Sequence, residues 1–439
     1  MSSPVSAPLW VGRSVALVGI LSVAFSLRSA IAAISPIVAQ ISADVPLSSV
    51  ALGVLGGMPA IFFAVSGLIA PRLAHKVGLE AGIIIAVVFM TIGHLTRALS
   101  DSFVVMLIGT ALTLLGMGIG NVLLPPAVKR YFPDRIGLLT AMYSVVLSFS
   151  ASIPPLIAAP VADTAGWRVS LGVWAAVAVV AVIPWVQLWA RRRATLAAEA
   201  HELAAARAAR EHEAVRGDEP FHDDAPEIAE ARPNIVAAMW GSPVAIGMTL
   251  AFAVSSLNAY AMFAWLPSIL IDTTGATPAE AGTLLSLYAV MGIPAAIAAP
   301  VLLRKLPSHG WSIFVGVAFF VVGYSGLLFA PSTLTWLWVI CAGLGPMWFP
   351  VCLVLINMRS ASPDSAVALS GFMQGIGYAI GSTGPFAIGI IHGALQSWTV
   401  PLIVLGVTSL LGIVAGVLIA RPGTVDEHIR ARAEKPKRS

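Results

Sequence analysis

Residues 14–41 read SVALVGILSVAFSLRSAIAAISPIVAQI, 28 residues carrying a single charge, Arg28. About 20 apolar residues cross the hydrocarbon of a bilayer as a helix, so this run predicts a spanning helix with a cation near its middle. Of the 439 residues, 58% are hydrophobic and 10% charged, against about 45–50% and about 25% in soluble domains. That balance excludes a soluble globular protein. The apolar runs are continuous, whereas the strands of a membrane barrel alternate over about ten residues, so the fold class is all-α. Of the 46 charged side chains, 26 fall within 191–233 and 421–439, which leaves the rest of the chain to lipid and to protein packed within it.

Breaking the chain at charges and at Pro/Gly/Asp clusters gives twelve transmembrane helices, near 12–40, 48–71, 80–99, 103–129, 136–160, 167–190, 238–268, 280–303, 311–330, 333–358, 365–392 and 397–420. The domains that follow are an N-terminal six-helix bundle (1–190), a cytoplasmic linker (191–233), a C-terminal six-helix bundle (234–420) and a cytoplasmic tail (421–439). Alternating the loops puts Arg13, Arg72, Lys76, Lys129, Arg130, Arg135, Arg191, Arg192, Arg193, Arg304, Lys305 and Arg359 on one side, and Arg97 and Arg168 on the other. By the positive-inside rule both termini and the linker are cytoplasmic in the plasma membrane. The first run is too long for a signal peptide and reads as the first span. Arg207 and Glu211, four apart, predict a solvated helix in the linker, lying against the cytoplasmic face. The net charge of +4 comes from basic groups scattered between apolar runs, with no aromatic-interleaved patch for nucleic acid.

The two halves repeat at an offset of about 230 residues. Ser26-Leu27-Arg28 aligns with Ser256-Leu257-Asn258, Gly57-Met58-Pro59-Ala60 with Gly292-Ile293-Pro294-Ala295, and Pro133-Asp134 with Pro363-Asp364. Leu139-Thr140-Ala141 aligns with Leu369-Ser370-Gly371, and Pro155 with Pro385. A parallel six-plus-six repeat resembles the major facilitator superfamily, whose halves flank a midplane site and rock about it. Glycines four apart (Gly53/Gly57, Gly116/Gly120, Gly371/Gly375, Gly377/Gly381, Gly412/Gly416) predict close helix packing.

Chemistry concentrates on Arg28. An intramembrane cation costs at least about 2.5–3.5 kcal/mol on insertion scales, so it faces a partner or a cavity. No carboxylate is expected at its depth, and its companions by sequence are Ser22, Ser26, Ser29 and the pseudosymmetric Asn258. Such a guanidinium either receives an anionic or hydrogen-bond-accepting substrate or is a structural group held by carbonyls and hydroxyls. Further substrate-binding candidates on helices expected to line the centre are Asn121, Tyr143, Tyr260, Trp265, Trp348, Gln374 and Tyr378. Arg72, Lys76, His94 and Arg97 are gating or coupling candidates, with His94 and Arg97 expected near the outer surface and Arg97 beside Asp101. The motif Gly67-Leu-Ile-Ala-Pro71-Arg72-Leu-Ala-His75-Lys76-Val-Gly78 resembles the superfamily's cytoplasmic loop signature, with Pro71 in place of the usual Asp.

Leu27-Arg28-Ser-Ala-Ile with Ser35-Pro36, Gly120-Asn121-Val-Leu-Leu-Pro125 with Lys129-Arg130, Tyr260 with Trp265-Leu-Pro267, and Leu369-Ser370-Gly371 with Gly377-Tyr378 resemble the cyanate/nitroimidazole porter family. The resemblance implies a secondary transporter of small planar or anionic solutes, with Arg28, Asn121 and Tyr260 at family-typical positions. Ser29 stands where a Pro is expected.

The competing readings are a multidrug or metabolite efflux antiporter and, from another class, a non-transporting membrane sensor. No carboxylate is available at the midplane as a proton carrier, which disfavours the antiporter. No metal cluster, nucleophile elbow or phosphate loop appears at usable spacing, so neither an enzyme nor a cofactor is expected. The expected partners are a small-molecule substrate, the lipid bilayer and, as a further candidate, a coupled proton, with the chain acting as a monomer.

Overall fold

The computed structural model describes residues 13–214, 239–361 and 363–433. Among these residues the chain is helical and contains no strand. Its spans are α1 (Ser14–Ala32), α2 (Ser49–Val77), α3 (Leu79–Ala98), α4 (Phe103–Tyr131), α5 (Ile136–Ala165), α6 (Trp167–Ala214), α7 (Pro243–Thr274), α8 (Pro278–Lys305), α9 (Trp311–Phe329), α10 (Thr335–Ile356), α11 (Pro363–Gly381 then Thr383–Leu395) and α12 (Thr399–Ile419). Side chains such as Val180, Ile183, Val407 and Val417 lie exposed on the outside. Such a belt is unfavourable in water and favourable against lipid tails.

Local chemistry sets the helix ends. Ser48, Ser102 and Ser242 accept the backbone N–H groups of Ala51, Val105 and Ala245, and Thr277 with Glu280 closes a capping box at α8. Gly78 ends α2 at φ 89°, a conformation that a side chain would strain. His75 and Lys76 in the last turn of α2 complement the helix dipole, so this helix outruns the purely apolar stretch.

Two segments differ from the sequence-based reading. The first span is not a continuous helix: α1 unwinds at Leu27–Arg28, resumes over Ser29–Ala32, and continues past a 3-10 turn at Ser35–Ile37 into Val38–Ser42. The backbone N–H of Arg28 donates to Ser150 Oγ at 2.9 Å, and Pro36 has no N–H to lose. The segment after residue 190 runs on as a continuation of α6 through Ala214, rather than as a separate helix. Residues 215–233 of the linker with 234–238 beyond it, His222 among them, and the side chains of Arg207, Glu211, His201 and His212 lie outside the described residues, as do 434–439 of the tail.

Tight seams hold the helices together. α3 and α4 meet where a Cβ on Gly93 would stand 2.4 Å from the Thr113 nitrogen, and one on Gly116 2.3 Å from the Ala86 carbonyl. Gly412 and Gly416 receive the rings of Trp348 and Phe314. These are the close approaches that four-residue glycine spacing predicts. Gly371 and Gly375 break the rule, because a Cβ on either meets nothing within 4 Å.

The α1–α2 connection adds a polar clasp onto the start of α6. Asp44 accepts the Arg168 guanidinium and the Trp167 indole N–H, which hold its carboxyl below the usual aspartate range. A carboxylate so depressed stabilises the fold above its unfolded pKa, and that contribution is lost as pH falls through the lower folded value. Thermal unfolding of Asp44→Asn against the parent protein is therefore expected to show a constant deficit above pH ~5. The deficit shrinks below the ordinary aspartate pKa of about 3.9; one that stays unchanged through pH ~3 refutes the pairing.

Candidate functional site

The break in α1 places Arg28 at the meeting of five helices. Its guanidinium carbon lies 5.0 Å from the centroid of Phe63 on α2, a cation–π geometry. Tyr260 on α7 lies beside the guanidinium, within its electrostatic reach. Tyr378 on α11 stands 6.2 Å from Phe63 and 6.4 Å from Tyr260, ring to ring. Phe252 packs edge-on to Tyr378 at 5.0 Å. Ser150 on α5 completes the frame by holding the Arg28 backbone. Arg28 is half-buried, and among the described residues no carboxylate lies within 4 Å of it. The centre is thus a cation in an aromatic box, with no anion supplied by the described residues.

The serines expected as companions of Arg28 turn elsewhere: Ser22, Ser26 and Ser29 donate to the carbonyls of Gly19, Ser22 and Ser26. Asn258 is fully buried and accepts the Tyr324 hydroxyl at 2.9 Å while donating to the Val254 carbonyl, so it packs within the second half, away from the box. Trp348 is also buried there, with its indole N–H on the Ile313 carbonyl. Trp265 donates to the Pro385 carbonyl at 2.9 Å and lies against Trp398, joining α7 to α11. Asn121 and Tyr143 are half-buried on α4 and α5, and Gln374 donates to Ser370 on its own helix. Of the sequence-based candidates, Arg28, Tyr260 and Tyr378 are brought together. Phe63 and Ser150 join them unforeseen, because a Phe and a Ser within apolar helices carry no local signal of what they face.

The two halves are in contact at one end. Ser35 Oγ donates to the Phe263 carbonyl at 2.9 Å. A Cβ on Gly53 would stand 2.9 Å from the Pro385 carbonyl, one on Gly57 2.6 Å from that of Ser382, and one on Gly282 2.2 Å from that of Pro155. Next to this seam the cavity lined by Ile31, Ile34, Leu55, Thr110 and Leu114 is about 30 Å³, room for a water or two. Towards the other end of α2 and α11, the positions of Gly67, Gly371 and Gly375 face open space.

The Gly67–Gly78 end of α2 carries Lys76 and Arg72. Lys76 is exposed, and Arg72 donates to the Leu68 carbonyl of its own helix. The loop signature lacks its Asp, and a buried anion at this end is Glu80 on α3. This carboxylate, 1% exposed, accepts the Tyr131 hydroxyl at 2.6 Å, Arg192 at 2.6 Å and Arg130 at 3.4 Å, tying α3, α4 and α6. Glu80→Gln is expected to lower stability by about 1–2 kcal/mol, short of the roughly 3–5 for fully buried pairs because both arginines reach solvent. An unchanged unfolding temperature in detergent would show that the cluster does not tie the helices.

His94 and Arg97 sit differently from their expected place. Both are buried, at 1% and 0% exposure, while Asp101 is exposed and forms no ion pair with Arg97. The pairing expected at the outer surface is absent, because α3 turns this face into the bundle against α4. Ser29 Oγ lies 3.4 Å from His94 Nε2.

Twelve helices in two repeats around a charge-poor centre define a membrane carrier fold, and the model of the Major Facilitator Superfamily matches residues 18–383. The chain belongs to that superfamily and resembles its cyanate/2-nitroimidazole porters. It is 30% identical to the 2-nitroimidazole transporter of Escherichia coli (strain K12), over 95% of this chain and 97% of that one. It is 24% identical to the cyanate transport protein CynX of the same organism, over 84% and 88%. The fold superposes on the crystal structure of a D-xylose–proton symporter with a TM-score of 0.70 at 14% identity, covering 96% of this chain and 99% of that one.

Proposed function

We propose that this transporter moves a small anionic or planar polar solute, cyanate-like or nitroimidazole-like, across the plasma membrane, with Arg28 as its anchor. The observation that carries the reading is the Arg28 guanidinium, without a carboxylate partner among the described residues and boxed by Phe63, Tyr260 and Tyr378. A planar π-system or delocalised anion fits between aromatic faces and supplies the missing negative or acceptor group. The names of the two Escherichia coli relatives support the same substrate class.

The basic-residue asymmetry puts the Lys76 end of α2 and both termini on the cytoplasmic side, and the halves meet at the opposite end, which favours an inward-facing reading. The bundles 1–190 and 234–420 act as the moving units of a rocker switch, joined by the linker 191–233, and the chain works as a monomer. Closing the cytoplasmic end while parting the Gly53/Gly57 seam carries the solute across. Among the described residues the centre holds no carboxylate, so any coupled proton travels with the substrate, on His94 or on an edge carboxylate such as Asp44 or Asp163.

Thermal-shift measurements on the purified protein test the substrate class. A ligand at 100 times its Kd stabilises by about 2.7 kcal/mol, and cyanate or 2-nitroimidazole is expected to give such a saturable rise. Flux into proteoliposomes separates a carrier from a sensor. No shift with any small anion or nitroheterocycle, together with no flux, overturns the reading.

A further inference from the structure

The Arg97 guanidinium is fully buried, and its Nε, Nη1 and Nη2 find no hydrogen-bond partner among the described residues. His94, one turn earlier on the same face of α3, is buried too, and its Nδ1 has no partner either. Among the described residues no carboxylate pairs with Arg97. Asp44 takes Arg168 and Trp167, Asp163 takes Gln40, and Asp101 is exposed. The hydroxyls of Ser100, Thr110 and Thr113 donate to backbone carbonyls. Arginine stays protonated in proteins, and an uncompensated buried ion carries an effective penalty of several kcal/mol. The described residues give this buried charge neither a hydrogen-bond partner nor a counter-ion.

We propose that Arg97, with His94 one turn away on the same helix, holds one small monovalent anion of halide size, at a site separate from Arg28. The size follows from the enclosure. Ser29, His94 and Arg97 are each at most 1% exposed, and α3 and α4 are in backbone contact on either side, where a Cβ on Gly109 would stand 2.8 Å from the Arg97 nitrogen and one on Gly93 2.6 Å from the Gly109 carbonyl. A solute as large as a nitroimidazole does not enter without parting these helices. The anion neutralises the core of the first bundle and is structural to it.

The full-length protein is titrated from gluconate into chloride or bromide while its unfolding temperature is followed. A saturable rise is expected for the parent protein and for Arg28→Ala, and its loss in Arg97→Gln. Retention in Arg28→Ala separates this site from the substrate anchor. Crystals in bromide are expected to show an anomalous peak at roughly hydrogen-bonding distance, about 3.3 Å, from the Arg97 nitrogens. This measurement decides the matter even where Arg97→Gln does not fold. An anion effect that persists in Arg97→Gln, or a water or carbonyl at the guanidinium in place of bromide, overturns the proposal.

Discussion

Arg28→Ala protein, inserted and folded at parental levels, is expected to lose transport by roughly 30- to 1000-fold. Truncating one side of a desolvated, charge-assisted contact removes about 2–4 kcal/mol, and each 1.4 kcal/mol is tenfold in affinity. Folding is spared for two reasons. The α1 break is held through the Arg28 backbone N–H on Ser150, which alanine keeps, and removing an intramembrane cation lightens an insertion penalty of about 2.5–3.5 kcal/mol. Arg28→Lys keeps the charge but loses the planar fork that grips a carboxylate-like or nitro group from two nitrogens. It is expected to bind more weakly than the parent without reaching the alanine level. Uptake by well-expressed Arg28→Ala at the parental rate would remove the anchor role and leave Arg28 as a structural cation over Phe63.

Gly57→Leu is expected to abolish transport by another route. The added Cβ would lie 2.6 Å from the Ser382 carbonyl, a backbone atom that no rotamer change can move aside. Overpacking of this kind costs about 3 kcal/mol, enough to shift the balance between the two closures about a hundredfold. The seam then stays parted and the carrier is held open at that end. Ser35→Cys is a suitable reporter, since Ser35 is buried in the seam against the Phe263 carbonyl and the native Cys341 and Cys352 are buried. Labelling of Ser35→Cys by an impermeant maleimide from outside should be slow alone and fast in combination with Gly57→Leu. Parental transport with an unlabelled cysteine would show that this contact does not need to close.

The sequence was legible wherever a signal is additive along the chain. Hydropathy over twenty residues is a sum, so the spans appear without knowledge of their partners. Arg28 stood out because a single charge in an apolar run has one physical resolution, burial against something polar or aromatic. Tyr260 and Tyr378 were findable as amphipathic aromatics. Phe63 and Ser150 were not, because their part depends on which helix faces which. Asn258 occupies the repeat position of Arg28, yet its short amide turns to Tyr324 in the interior of its own bundle.

By itself the sequence determined a twelve-helix, two-repeat membrane protein with one isolated cation in its first span, since composition, period and internal homology are properties of the chain. The tertiary structure alone decided that α1 breaks at that cation, that Glu80 is buried among Tyr131, Arg130 and Arg192, and that Arg97 is buried rather than interfacial. Each is a matter of rotation about a helix axis and of which neighbour fills the space. A change of about 100° per residue turns a side chain from lipid to core, and only packing against the neighbouring helices fixes that angle.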